Sequence, residues 1–535
     1  ITFSSTIDSD STARDLTLTL GSGSASVTGI VGTTALDVLT LNSSASFTAA
    51  VTATSIVNAA NKTATFSDDL TAAVTNSGGL LFNHTGSGAT VDITYTAGGA
   101  DIIRVEDSQD NVSPAVVTFS NAITATALRV GALDGSKGGS ALFVETVTIP
   151  TITVIGGNHT DEDSTVTFNK AVTSTSGITL NDNTGDAHII FAENNSVNIT
   201  GTINGASANE GTIQVTGATK TFVNTIGGTQ ALTLIDIDNG SVFNEAISAT
   251  NINIADTITV TAKKAITATA IILDGGTLEV STTNTATITG TINGNDATEG
   301  VLHVSGANKT FSDDIGTSQV LTEIDIDGAT VFNGTITTTT LDIASAEYDL
   351  EINGSANVIT NAVTFNNTGT LTLGNGTGDT TTFTGGVTAT APSQVNLAGT
   401  IQTTNNTMSL GDAGTPIVLT ANTILSGNTA GAITLGGTVN GGYSLTINTT
   451  GNTTFTRAVG NTTALTTLTT NASGTTYING GAITTSSTQT YGDAVVLGAD
   501  TTLTTTDSNI TFSSTIDSDG TARDLTIDMD NGVGA

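Results

Sequence analysis

The sequence predicts an all-β chain wound as a parallel β-solenoid of about 25 coils of about 20 residues. Three observations predict it: repeats nested within repeats, strand-like alternation along the whole length, and many β-branched but few bulky side chains. Residues 1–18, ITFSSTIDSDSTARDLTL, return at 510–527 as ITFSSTIDSDGTARDLTI, differing only where Ser11 gives way to Gly520 and Leu18 to Ile527. The chain therefore reads as one 509-residue period followed by the opening of the next. Inside it, residues 199–255 return without a gap as 288–344, at an offset of 89 with more than half the positions identical. Phe222 and Phe243 stand 21 apart, as do Phe311 and Phe332; Phe47 and Phe66 stand 19 apart, and Phe365 and Phe383 18 apart. A unit of that size cannot bury its apolar side chains alone, so neighbouring units must stack.

Organisation is graded rather than partitioned. Residues 1–150 hold a degenerate form of the repeat with an insertion-like stretch, GGADIIRVEDSQDNVSP (98–114). Residues 151–357 hold the two regular 89-residue copies, and 358–535 are Thr/Gly-rich, with 510–535 starting the next period. The stretch 98–114 and the segment HTDEDS (159–164) are the expected loops.

Segments such as ATITGTI (286–292), TLIDIDN (233–239) and YSLTINTT (443–450) alternate apolar and polar residues and stop at Gly or Asn-Gly, the pattern of half-buried strands. The recurrent unit is Phe-x-x-x-Ile/Val, a polar Gly/Thr corner, then an alternating strand. Comparing the copies assigns the faces. Phe222, Ile226, Ile235, Ile237, Phe243 and Ile247 return as Phe311, Ile315, Ile324, Ile326, Phe332 and Ile336, and are the expected core. Leu234 returns as Glu323, which places that position outside with Asp236, Asp238, Asp325 and Asp327. The alternative is a row of antiparallel β-sandwich domains of about 90 residues, in which Asn-Gly at 204–205, 239–240, 293–294 and 353–354 would turn hairpins. The shorter sub-period and the absence of Trp favour the solenoid.

A net charge of −35, from 47 acidic residues against 12 Lys and Arg, argues against nucleic acid or anionic membrane as partner, since phosphate binding needs basic patches. Without cysteine there is neither a disulfide framework nor a thiolate metal site. No run reaches the 18 or so apolar residues of a membrane span.

Histidines stand at 84, 159, 188 and 303. His303 holds the place of Gln214 in the other copy and reads as an exposed strand residue. His159 beside Asp161, Glu162 and Asp163 is the one local cluster of metal-ligand types, and reads as a solvated loop. Lys and Arg are scattered singly apart from Lys263-Lys264, and Trp is missing, so no catalytic residues and no enzyme are expected. The acidic motifs IDIDNG (235–240) and IDIDG (324–328) carry hard oxygen ligands of the kind Ca²⁺ selects, making Asp236, Asp238, Asp325 and Asp327 the candidate Ca²⁺ ligands; no other cofactor is expected. The plainer reading is that outward Asp keeps a long β-structure soluble.

The phrases VGTTALDVLTL (31–41), IGGTQALTLIDI (226–237), VGNTTALTTLTT (459–470) and the run 488–527 resemble the repeat regions of giant bacterial exoproteins of the filamentous-haemagglutinin-like type. The resemblance implies a right-handed parallel β-helix, an extracellular setting on the bacterial cell surface or in secreted filaments, and a role in adhesion or surface coating. Two functions are expected from the repeats and the resemblance together. One is a structural surface protein that packs with copies of itself, end to end and laterally, as a filament, sheath or surface layer. The other is an adhesin shaft presenting a binding tip to host cells or extracellular polysaccharide.

Overall fold

In a computed structural model, residues 1–59, 62–76, 79–84, 89–97, 102–107, 116–160, 162–281 and 285–529 are described. Among the described residues the chain is all-β, without a helix, and forms a β-solenoid of about 22 turns. Two compact units divide it, Ile1–Thr269 and Ala270–Ala535.

In the first unit three parallel ladders make the faces of the coils. One runs through ten strands, from Thr2–Phe3 to Ile203–Gly205. A second pairs Val51 with Leu70, Leu70 with Val91 and Val91 with Phe119, and continues through Phe143, Phe168 and Phe191 to Val215. The third pairs Ile123 with Val147, then Val172, Ile199, Phe222 and Phe243. In each ladder one coil donates its whole strand edge to the next, so every strand satisfies its backbone through its neighbours rather than within its own coil. The second unit repeats the arrangement, with Ile288, Phe311, Phe332, Ile352 and Leu373 in one ladder and eight strands from Val363–Thr364 to Ile516–Ser518 in another.

Partners along the second ladder lie 24, 25 and 23 residues apart, Phe119 to Phe143 to Phe168 to Phe191. The phenylalanine spacings of 19 and 21 sample tight coils, and the spacing of 18 is no coil at all, since Phe365 and Phe383 sit in different ladders and Phe383 pairs with Ile359, 24 residues back; the turns are therefore longer and fewer than 25. The sandwich alternative fails on strand direction. The Asn-Gly pairs close no hairpins: Asn204 and Gly205 end a strand that lies parallel to Gly177–Asn181, and Ser241–Phe243, just after Asn239-Gly240, lies parallel to Lys220–Phe222. Part of the expected loop 98–114 is strand, since Ile102–Asp107 pairs with Gly79–His84 and with Ala127–Val130; residues 98–101 and 108–114 lie outside the described residues.

The expected core residues are all inside: Phe222, Ile226, Ile235, Ile237, Phe243 and Ile247, and their counterparts Phe311, Ile315, Ile324, Ile326, Phe332 and Ile336, are each buried. Rings on consecutive coils stack. Phe222 lies 4.9 Å from Phe243 with planes 6° apart, and Phe311 lies 5.1 Å from Phe332 at 18°. In the first unit nine rings form one chain that changes ladder twice. Phe47, Phe66 and Phe82 stack in the first ladder, Phe119, Phe143, Phe168 and Phe191 in the second, Phe222 and Phe243 in the third. Only at the two changes, Phe82 to Phe119 at 87° and Phe191 to Phe222 at 79°, do rings meet edge to face. Rings at equal register on one face are held parallel by the strand spacing, whereas rings from adjoining faces approach around a corner, where the edge-to-face contact is the favourable one.

The corner after the Phe strand explains the recurring Ile/Val-Gly. Gly32, Gly227, Gly316 and Gly460 all have φ between 68° and 77°, a left-handed conformation. A Cβ on Gly227 would stand 2.0 Å from the Ser248 carbonyl oxygen on the next coil, and one on Gly316 1.9 Å from that of Thr337. These corners are the sequence shared by VGTTALDVLTL, IGGTQALTLIDI and VGNTTALTTLTT.

Candidate functional site

Chemistry-bearing side chains gather on outward rows, where stacking sets residues one coil apart side by side. In the first 89-residue copy Gln214 pairs in register with Asp236, and its Nε2 donates to Asp236 Oδ2 at 3.3 Å and to Asp238 Oδ2 at 2.9 Å. Burial, and then the Asp238 charge, push the Asp236 carboxyl above its ordinary value, against the Gln214 hydrogen bond. The pair is therefore bridged by an amide rather than left open.

The second copy substitutes His303 for Gln214. His303 pairs in register with Asp325, and its Nε2 lies 2.9 Å from Asp327 Oδ2 and 3.5 Å from Asp325 Oδ2. Burial pulls the imidazole down, but the Asp327 hydrogen bond and the charges of Asp325, Asp327 and Glu279 outweigh it and raise its pKa. Burial and neighbouring acids raise the carboxyls of Asp325 and Glu323. The expectation that His303 is a plain exposed strand residue is corrected: it is half-buried and shares a three-residue group with Asp325 and Asp327, all ligating atoms lying within 4.8 Å. One imidazole nitrogen and two carboxylate oxygens could hold a divalent ion. The nitrogen suits Zn²⁺-class metals better than Ca²⁺.

A second such group, Asp163, Asp186 and His188, lies in the first unit. The segment around His159, read as a solvated loop, is solvated only in part. His159 is exposed, Glu162 is buried, Asp161 lies outside the described residues, and Asp163 faces Asp186 and His188 of the next coil instead. Burial, and then the Asp182 charge, raise the Asp186 carboxyl. His84 ends the strand Gly79–His84.

Two features were missed in the sequence. Lys220 and Lys309, equivalent in the two copies, are fully buried, their side chains pointing inward two residues before the core Phe. Lys220 Nζ donates to the Glu193 carbonyl at 2.6 Å and to the Ala218 carbonyl, and Lys309 Nζ to the Ala307 carbonyl. Burial lowers both pKa values, opposed at Lys220 by the Glu193 charge. The pattern Lys-x-Phe carried the signal, because period two puts both residues on one face. The second is a basic cavity: Arg104, Arg129 and Lys137, 25 and 8 residues apart along the chain, line one surface hollow of about 620 Å³.

No family model, curated protein or solved structure matches this chain. Among the described residues no helix is long and apolar enough to cross a membrane.

Proposed function

We propose that this chain is an extracellular structural protein of the bacterial surface, a β-solenoid whose copies pack end to end and side by side into a filament, sheath or surface layer. The observation that carries the reading is one coil sequence in two positions. In residues 1–18, Phe3, Ile7 and Leu16 pair with Val27, Val31 and Leu39 of the following coil. In residues 510–527, Phe512, Ile516 and Ile527 pair with Tyr491, Val495 and Leu503 of the preceding one. A coil of this sequence thus accepts a parallel neighbour on either side, which is what head-to-tail stacking of copies requires.

Lateral packing meets the charge of −35. Outward acids on successive coils sit closer than a Debye length of ~8–10 Å, so neighbouring solenoids repel unless cations intervene. Divalent ions bridging Asp236/Asp238 and Asp325/Asp327 of adjacent copies would relieve this, with Ca²⁺ the ion suited to the all-oxygen pair. Electron microscopy of the concentrated protein should show end-to-end fibres that bundle in millimolar Ca²⁺ and separate with chelator. Monodisperse particles under both conditions would remove the reading. A second reading, an adhesin shaft for extracellular polysaccharide, draws on the cavity at Arg104.

A further inference from the structure

In a chain with only 12 Lys and Arg against 47 acids, three cations converge on one hollow. Arg104 and Arg129 are direct register partners on adjacent coils, so the two guanidinium groups leave the same face one strand spacing apart, about 4.8 Å at the backbone. Like charges directly opposite one another are destabilising in a sheet. Glu106 offsets only part of this. Its Oε1 accepts from Arg129 Nη2 at 2.7 Å, and Arg129 Nε donates to the Gly131 carbonyl at 3.2 Å. Those two bonds fix the Arg129 plane and use two of its five N–H groups. Among the described residues Arg104 makes one long contact, 3.4 Å from Nη2 to Thr63 Oγ1. Lys137 adds the third positive charge to the wall.

The rest of the wall is not that of a simple anion trap. Asp134 lines the hollow with its carboxylate held ionised by the Ser136 hydroxyl and backbone hydrogen bonds, and with help from the Arg129 charge. It is a ready acceptor for hydroxyl donors. Leu133 stands at the lip with 75% of its surface exposed, the most exposed large apolar side chain among the described residues. A volume of about 620 Å³ is in the range of small-molecule sites. Paired guanidinium groups call for a planar carboxylate, Asp134 for hydroxyls, and Leu133 for a C–H face.

We propose that this cavity binds a carboxylate-bearing sugar, with Arg104 and Arg129 holding the carboxylate, Asp134 accepting from ring hydroxyls and Leu133 covering the apolar face of the ring. The site goes beyond the filament reading and does not depend on it, since it lies within one unit and needs no second copy. An acidic sugar presented by an extracellular polysaccharide and the same sugar free in solution would enter through the same chemistry.

Titration calorimetry of the full chain with D-glucuronate, glucose and acetate tests it, with a glucuronate-containing oligosaccharide as the arm that separates polymer from free sugar. Glucuronate should bind, more weakly as salt is added; glucose should not bind, and acetate should bind at least about tenfold more weakly. Arg104→Gln should weaken glucuronate at least about tenfold, while Arg14→Gln, the same charge change at an exposed pair elsewhere, should leave it unchanged. Should Arg104→Gln alter the circular dichroism melt, Leu133→Asp at the exposed lip is the second variant and should weaken binding likewise. No heat with glucuronate, equal binding to both Arg variants, or acetate binding as tightly as glucuronate would overturn the proposal. A tighter oligosaccharide would assign the polymer as the source, and equal affinity the free sugar.

Discussion

Residues 199–255 and 288–344 are two versions of one sequence in separate units of the same chain, and what differs between them is confined by side. Exchanges among buried side chains are small: Ile213 for Leu302, Ser241 for Thr330, Ala249 for Thr338, Ile252 for Leu341. Outward positions change chemistry freely, Gln214 for His303, Leu234 for Glu323, Thr225 for Asp314. The inside is held by close packing against the coils above and below, where a methyl group is felt. The outside is free to acquire a metal-type cluster or lose it without disturbing the coil. The chemistry that differs between the copies therefore lies on the outer rows, and the two copies are each other's control.

The comparison breaks most visibly at the stacked rings. Phe243→Ala and Phe332→Ala should each lower stability by about 3–5 kcal/mol, and by similar amounts, because each ring is buried against a ring one coil away. Chemical denaturation of fragments carrying one copy each would show it. A large effect in one copy and none in the other would end the claim of an equivalent interior. Next in size is the glycine corner: Gly227→Ala and Gly316→Ala should each cost more than about 2 kcal/mol, since both strain and overlap with a neighbouring carbonyl are added.

The buried lysines sharpen the comparison through pH. Their folded pKa values lie below the ordinary 10.5, so the unfolded chain binds more protons above the folded value, and stability rises as pH climbs through that value toward 10.5. Lys309→Met removes a buried cation and should stabilise by about 1 kcal/mol at neutral pH, the gain shrinking as pH approaches 10.5. Lys220→Met should gain less, because the Glu193 charge already compensates Lys220. Thermal melts from neutral to alkaline pH would read both, and a gain that grows with pH would contradict the assignment.

Much of the fold was legible because period-two alternation and nested repeats state the inward face outright, as Phe222, Ile235 and Ile237 and their copies show by their burial. The coil length was read short, since Phe222 to Phe243 is a tight coil while Phe143 to Phe168 carries a longer turn. The outer clusters were not legible. His303 and Asp325 are 22 residues apart and Arg104 and Arg129 are 25 apart, distances that mean nothing until register is known. Insertions in the turns vary each coil, so no fixed offset in the sequence reveals which outward residues will be neighbours.

The smallest expected effect tests the outer rows alone. Leu234 and Glu323 hold the same half-buried outward position, and burial, followed by the Asp325 and Asp342 charges, raises the Glu323 carboxyl above its ordinary 4.5. A carboxyl raised on folding binds more protons in the native chain than in the unfolded one, so it destabilises the native chain at neutral pH, and that burden lifts as pH falls through the folded value. Glu323→Leu should therefore stabilise by no more than about 0.5 kcal/mol at neutral pH, and Leu234→Glu should destabilise by a similar amount. Both differences should fade on acidification toward 4.5 and leave fold and ring stacking untouched, which denaturation curves at two pH values would measure. A loss several times larger in Leu234→Glu would place that position in the core. The two copies would then differ inside as well as out, and the division of labour between their faces would fail.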